Sequence, residues 1–202
     1  MSQSQPKTLN DLPRSVLGGH VVIAQHVRPS SAGTLEERIR LLELDRDARQ
    51  FVASYAIYYD AKDLAALMAL YADDAVLVNS SGTYAGAKTI EAIHSEDFPL
   101  TEISFHHLNN VSVGVPNEDG SLWVAAYMYN LAVRDGEHYG TVATIIFRLR
   151  EVDGRLCAAE CRIAIDSRHT LTPKLMVLQS NPLATEASTS AELVGSIPRY
   201  PS

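Results

Sequence analysis

Basic residues are scarce in this chain: 17 Lys and Arg stand against 24 Asp and Glu, giving a net charge of −7 and a pI near 5.4. Binding to nucleic acid or to an anionic membrane needs clustered positive charge, so both are set aside as partners. Long apolar runs are missing as well; nothing approaches the 18 or so residues that a membrane-crossing helix requires. The opening MSQSQPKTLNDLPRS has no basic segment backed by an apolar one, so a cytoplasmic location is expected. Cysteine is nearly absent. Cys157 and Cys161 lie four apart in a segment that alternates like a strand, where they would share a face yet sit too far apart for an easy disulfide. They read as reduced core or pocket-wall residues rather than a metal pair. There is no glycine-rich phosphate loop, no nucleophile elbow and no metal-type histidine pair on a helix. No cofactor and no metal are expected, and a small molecule remains as the natural partner.

What is present is enough apolar material for a full core: 46% of the 202 residues are hydrophobic and 20% are charged. Residues 1–34, rich in Ser, Gln, Pro and Gly, read as an arm, and residues 171–202, with several prolines and many small polar residues, read as a tail. Between them, 35–170 forms one domain. It opens on TLEERIRLLELDRDARQFVASYAIYYDAKD, where Thr34 and Glu37 have the spacing of a capping box and Leu35, Ile39, Leu42, Ala53 and Ile57 recur near helical spacing. This predicts one long helix, or two with a break near Asp45. DLAALMALYADDAVLV predicts a shorter helix ending near Tyr71, a turn at Asp73 and Asp74, and a strand over 76–79. SSGTYAG predicts a turn, and AKTIEAIHSEDF a third helix stopped by Pro99.

From Ile103 the period changes to two. Four alternating segments follow, ISFHHLNNVSVGV, SLWVAAYMYNLAVRD, YGTVATIIFRLREVD and RLCAAECRIAIDSR, separated by PNEDG, DGEH and DGR. Helices first and an antiparallel meander afterwards give an α+β fold, with the helices packed on one face of a curved sheet.

Two short stretches stand out. YYDAKD places Asp60 at the end of the long helix, and FHHLNN places His106 and His107 at the start of the first meander strand, on opposite faces because strand side chains alternate. On residue types alone, Asp60 also suits a helix-end residue bonding local amides, and His106 suits a satisfied core histidine.

These stretches, with YYDAKDLAALMALYADDAVL leading into strands and FHHLNNVSV opening the meander, resemble the NTF2-like superfamily and within it the SnoaL-like group that includes scytalone dehydratase, bile-acid dehydratase and the hexachlorocyclohexane dehydrochlorinase. The resemblance covers about residues 35–170. It implies a cone whose helices close one end of a strongly curved antiparallel sheet around a pocket for a small, mostly apolar molecule. It also implies that His106 is a general base, Asp60 its orienting partner and Tyr59 a hydroxyl that polarises a carbonyl or donates a proton. The chemistry is coherent: abstracting a proton beside a carbonyl suits imidazole, whose ordinary pKa is about 6.5, and a carboxylate on the other ring nitrogen fixes the tautomer.

The second pocket histidine that scytalone dehydratase carries on the next strand has no counterpart in AAYMYN. Tyr127, Tyr129 and Asn130 or Thr144 are the expected replacements, with Tyr55 and Trp123 as further pocket contacts. If the tyrosines face the pocket, Val124, Ala126 and Met128 form an apolar outer face, and a homodimer or homotrimer is expected. His94, His138 and His169 have no evident partner and are expected at the surface. The implied function is a cofactor-independent lyase or isomerase (dehydratase, double-bond isomerase or cyclase) for a small cyclic or polyketide-like substrate. The alternatives are a small-ligand-binding or assembly module of the same fold, or the small subunit of a ring-hydroxylating dioxygenase.

Overall fold

A computed structural model describes residues 33–171; the expectations for the arm and the tail fall outside the described residues. Helix α1 (Leu35–Asp60) is a single element, with no break at Asp45. Its capping box is formed in both directions, Thr34 Oγ1 accepting from the Glu37 amide at 3.2 Å and Glu37 Oε2 accepting from the Thr34 amide at 2.7 Å. The face it buries is not the expected one. Leu35, Ile39, Leu42, Ala53 and Ile57 are all exposed, whereas Ala48, Phe51, Val52, Tyr55 and Ala56 are buried. The aromatic residues of the second half decide the packing, because large rings remove the most apolar surface from water.

The chain then turns at Lys62, whose left-handed backbone (φ 54°) ends the helix. A short helix α2 (Leu64–Met68) follows, capped by Asp63 accepting from the Ala66 amide. It stops earlier than expected, and β1 (Tyr71–Asn79) takes in Asp73 and Asp74 as exposed strand residues instead of a turn. The segment 82–85, expected as turn, is a short strand β2 (Gly82–Ala85) paired with β1. Helix α3 (Ala87–Asp97) ends in a 3₁₀ turn at Phe98–Leu100, where Pro99 cannot continue the helix.

Four long strands complete the domain: β3 (Ile103–Val113), β4 (Leu122–Arg134), β5 (Glu137–Val152) and β6 (Arg155–Thr170). Of the three expected Asp-Gly turns, two close tight hairpins, and the third, PNEDG, lies in the longer connection between the antiparallel β3 and β4. Asp135 and Gly136 (φ 53° and 72°) and Asp153 and Gly154 (φ 50° and 76°) take the positive angles that two-residue hairpin turns require.

The helices pack on an open, curved sheet of order β2-β1-β6-β5-β4-β3, an α+β cone. The sheet is mixed, not purely antiparallel, because β1 runs parallel to β6. Turn signals report only neighbouring strands, and this pair joins distant parts of the chain. The core lies between α1 and the concave face, where Phe147 meets Phe51 and Tyr55 edge to face at 5.2 and 5.0 Å. The cysteines are free and buried, but they do not share a face. A bulge near Ala158 places Cys161 opposite inward Phe147 and Cys157 opposite Arg150, three residues further along β5.

Candidate active site

The concave face encloses a cavity of about 430 Å³, within the range of small-molecule pockets. One part of its wall is built where α1 ends against β3. Lys62 holds the two together, its ammonium donating to the carbonyls of Thr101 and Glu102 just ahead of β3. That clamp brings Ser104 and His106, two apart and so on one face of the strand, over Asp60. His106 Nδ1 lies 2.6 Å from Asp60 Oδ1, the His106 amide donates to Asp60 Oδ2 at 2.7 Å, and the Ser104 hydroxyl donates to Oδ1 at 2.9 Å.

A carboxylate at a helix C-terminus faces the unfavourable end of the dipole, and burial also opposes its charge. Three donors from β3 outweigh both, and the Asp60 carboxyl is held below its ordinary range. Its partners are far away in sequence, so Asp60 is not a local helix-end cap. The His106 side chain is almost fully enclosed, at 7% exposure. With Nδ1 facing the carboxylate, Nε2 is the ring nitrogen left for the cavity that His106 lines. His107, expected on the opposite face, is exposed there.

Tyr59 stands between two imidazoles. Its ring meets His106 at 4.7 Å and His94 at 5.5 Å, both edge to face. Its hydroxyl donates to Asp97 Oδ2 at 2.8 Å, and Arg134 Nη1 reaches Asp97 Oδ1 at 3.3 Å. Burial and the Asp97 charge push the Tyr59 phenol well up. The Tyr59 hydroxyl thus keeps its proton and directs its hydrogen bond at a carboxylate.

His94 corrects a second expectation. It is not at the surface: it is 4% exposed, lines the cavity from α3, stacks on Phe98 at 6.0 Å and has Tyr71 Oη at 3.5 Å from Nε2. Burial pulls its pKa down to about 4. The sequence signal was available, since His94 is the fourth residue after Ile90 on the buried face of α3, but histidine is as often found outside. Of the other two, His138 is half-buried and His169 is exposed.

The predicted contacts divide by strand face. Asn130 lines the cavity with its Oδ1 buried and unpartnered, and Tyr55 lines it with its hydroxyl buried beside Tyr71 and Cys161. Tyr127, Tyr129, Trp123 and Thr144 do not line it. On β4 the inward residues are Val124, Ala126, Met128, Asn130, Ala132 and Arg134, so the tyrosines and Trp123 lie on the outer face, and Thr144, opposite Tyr127 in register, lies there too. A register offset of one residue moves every side chain of a strand to the other side. The outer face therefore carries Trp123, Ala125 and Ile146, with Arg148 over the indole at 5.7 Å, and not the expected Val124, Ala126 and Met128.

Helices packed on an open, curved, mixed sheet of six strands make an NTF2-like α+β cone. The chain belongs to the SnoaL-like domain family, which matches residues 40–162. No curated protein matches it. Among solved structures, it is similar to a type 2 hexachlorocyclohexane dehydrochlorinase (LinA), with a TM-score of 0.62 at 14% identity over 66% of this chain and 93% of the other. It is also similar to a candidate scytalone dehydratase from Novosphingobium aromaticivorans DSM 12444, with a TM-score of 0.59 at 14% identity, covering 66% and 90%. An NTF2-like protein with a cystatin-like fold from Novosphingobium aromaticivorans gives a TM-score of 0.58 at 22% identity, covering 66% and 88%. Identities this low establish the shared fold and leave the chemistry to the residues. No helix among the described residues is long and apolar enough to cross a membrane.

Proposed function

We propose that this protein is a cofactor-independent lyase or isomerase acting on a small cyclic, polyketide-like compound by proton abstraction, with His106 as the general base and Asp60 as its orienting partner. The observation that carries this reading is the 2.6 Å contact between His106 Nδ1 and Asp60 Oδ1 at the wall of a ligand-sized cavity. The carboxylate holds the imidazole as the Nδ1–H tautomer, so Nε2 presents a lone pair to the substrate. As Nε2 takes the proton, the negative charge of Asp60 stabilises the imidazolium. Tyr59 packs against the base and fixes its ring plane. Tyr55 lines the same cavity as a substrate contact, its hydroxyl buried beside Tyr71 and Cys161.

A purely storage-type pocket would have little use for such a pair, because burying ionisable groups is unfavourable unless they are satisfied or employed. The test is to incubate the protein with a panel of cyclic β-hydroxyketones and enones in D₂O and to follow exchange, elimination and double-bond migration by proton NMR. Catalysed exchange that disappears in His106→Ala supports the reading. Exchange that persists at the wild-type rate in that variant removes His106 as the base, and no catalysis with any member of the panel favours the binding-module alternative.

A further inference from the structure

Across the inner face of the sheet, one register line carries four cavity residues from four successive strands. His106 of β3 is opposite Asn130 of β4, Asn130 is opposite Thr141 of β5, and Thr141 is opposite Arg168 of β6. All four line the cavity. The line therefore runs from an imidazole through an amide and a hydroxyl to a guanidinium, over three strand spacings or roughly 14 Å.

The two arginines of the cavity are in different situations. Arg134 is engaged by Asp97, which also accepts from Tyr59. Arg168 makes one long hydrogen bond, Nε donating to Thr141 Oγ1 at 3.4 Å, and among the described residues it pairs with no carboxylate. Among the described residues Arg46, Arg49, Arg148, Arg150 and Arg162 each meet a carboxylate in an ion pair. Arg168 keeps a planar fork of donors open at the end of a polar row, and beside that row the buried Asn130 Oδ1 has no partner.

We infer that this row is a ligand-binding track and that the ligand carries a carboxylate, received by the Arg168 guanidinium at the β6 end while its reactive carbon faces His106 at the β3 end. A guanidinium matches a carboxylate with two parallel charge-assisted hydrogen bonds, which a neutral amide cannot reproduce. Thr141 steadies the guanidinium through Nε and leaves its outer edge for the ligand. This inference names the substrate class for the proposed proton abstraction and rests on that reading for the orientation alone. The carboxylate site is tested by binding, without turnover.

The probes are 6-hydroxy-2-naphthoate and its neutral counterpart 6-hydroxy-2-naphthamide, titrated calorimetrically into the wild type, Arg168→Gln, Arg168→Lys and Asn130→Asp. The wild type is expected to bind the acid at least about tenfold more tightly than the amide, as charge assistance predicts. Arg168→Gln should reduce that preference to within about twofold, Arg168→Lys should retain part of it, and Asn130→Asp should weaken the acid selectively by placing a like charge in the row. Because Asn130→Asp tests the track from a second strand, a folding failure at Arg168 leaves the inference testable. Equal binding of acid and amide to the wild type, a preference that survives Arg168→Gln, or no binding of either probe at millimolar concentration each overturns it. An absence of NMR-detected exchange with the acid preference intact would instead sink the catalytic reading and leave the carboxylate site standing.

Discussion

Two histidines line the cavity, both in ring contact with Tyr59, and they are treated in opposite ways. At the β3 end His106 has a carboxylate on Nδ1, with Ser104 and a backbone amide steadying that carboxylate. At the α3 end His94 has aromatic rings and one distant hydroxyl, and burial, only partly offset by the Asp97 charge, draws its pKa to about 4. A histidine with an ionised partner can accept and release a proton during a reaction. One that is merely buried stays neutral and serves as packing with a polar edge. The residue type is therefore a poor guide to the role, and the partner is a good one.

The largest expected effect breaks the comparison at its charged end. His106→Ala should remove nearly all proton-abstraction activity, and Asp60→Asn should lower turnover by about 100-fold or more while the protein still folds. Turnover measured beside a thermal melt separates lost chemistry from lost structure. His94→Gln should leave turnover within about tenfold if that histidine is packing with a polar edge, and an equal collapse in both variants would erase the distinction.

The neutral end has a sharper signature in stability. The folded-state pKa of His94 lies near 4, below its ordinary 6.5, so the unfolded chain binds more protons between those values. Stability should be complete above about pH 6.5 and fall as the pH drops toward 4, by about 3 kcal/mol from this group. The lowered carboxyl of Asp60 acts in the same direction but in another window: its contribution is complete above the ordinary 3.8 and is lost only as the pH falls through its lower folded value. Urea midpoints at pH 7, 5.5 and 4.5 should decline in the wild type and stay nearly flat in His94→Gln. A wild-type slope retained in that variant assigns the loss to other groups.

Between the two ends, Tyr59→Phe should destabilise by about 1 kcal/mol through the lost Asp97 bond and reduce turnover less than about tenfold, because its proton is directed at Asp97. A loss as large as that of His106→Ala would make Tyr59 a proton donor after all. The smallest effect is expected on the other side of the sheet. Trp123→Phe should change turnover by no more than about twofold, since Trp123 packs with Ala125 and Ile146 on the outer face.

These contrasts separate what local pattern conveys from what it omits. Capping at Thr34 and Glu37, the Asp-Gly hairpins, the change from helical to alternating period and the α+β order were all readable, because each depends on residues within a few positions of one another. The meeting of Asp60 and His106 was reached through a resemblance in two short motifs, and the side chains do meet. The inward face of β4 was not readable. Val124, Ala126 and Met128 alternate with Trp123, Tyr127 and Tyr129, and both sets are apolar enough to be buried, so periodicity cannot choose between them. The long helix posed the same problem, with two apolar stripes of which the aromatic one packs.

The sequence by itself determined the long helix, the third helix and the four meander strands, the acidic character that disfavours polyanionic partners, and the identity of one carboxylate and one imidazole worth pairing. Tertiary structure alone decided that β1 joins β6 in parallel, that His94 is inside, that the Tyr59 hydroxyl donates to Asp97, and that four residues from four strands fall on one line ending at Arg168. The physical reason is that propensity, capping and turn chemistry act over a few residues, whereas strand register and burial are set by which surfaces meet across the whole domain. A single residue of register separates a cavity wall from an outer face.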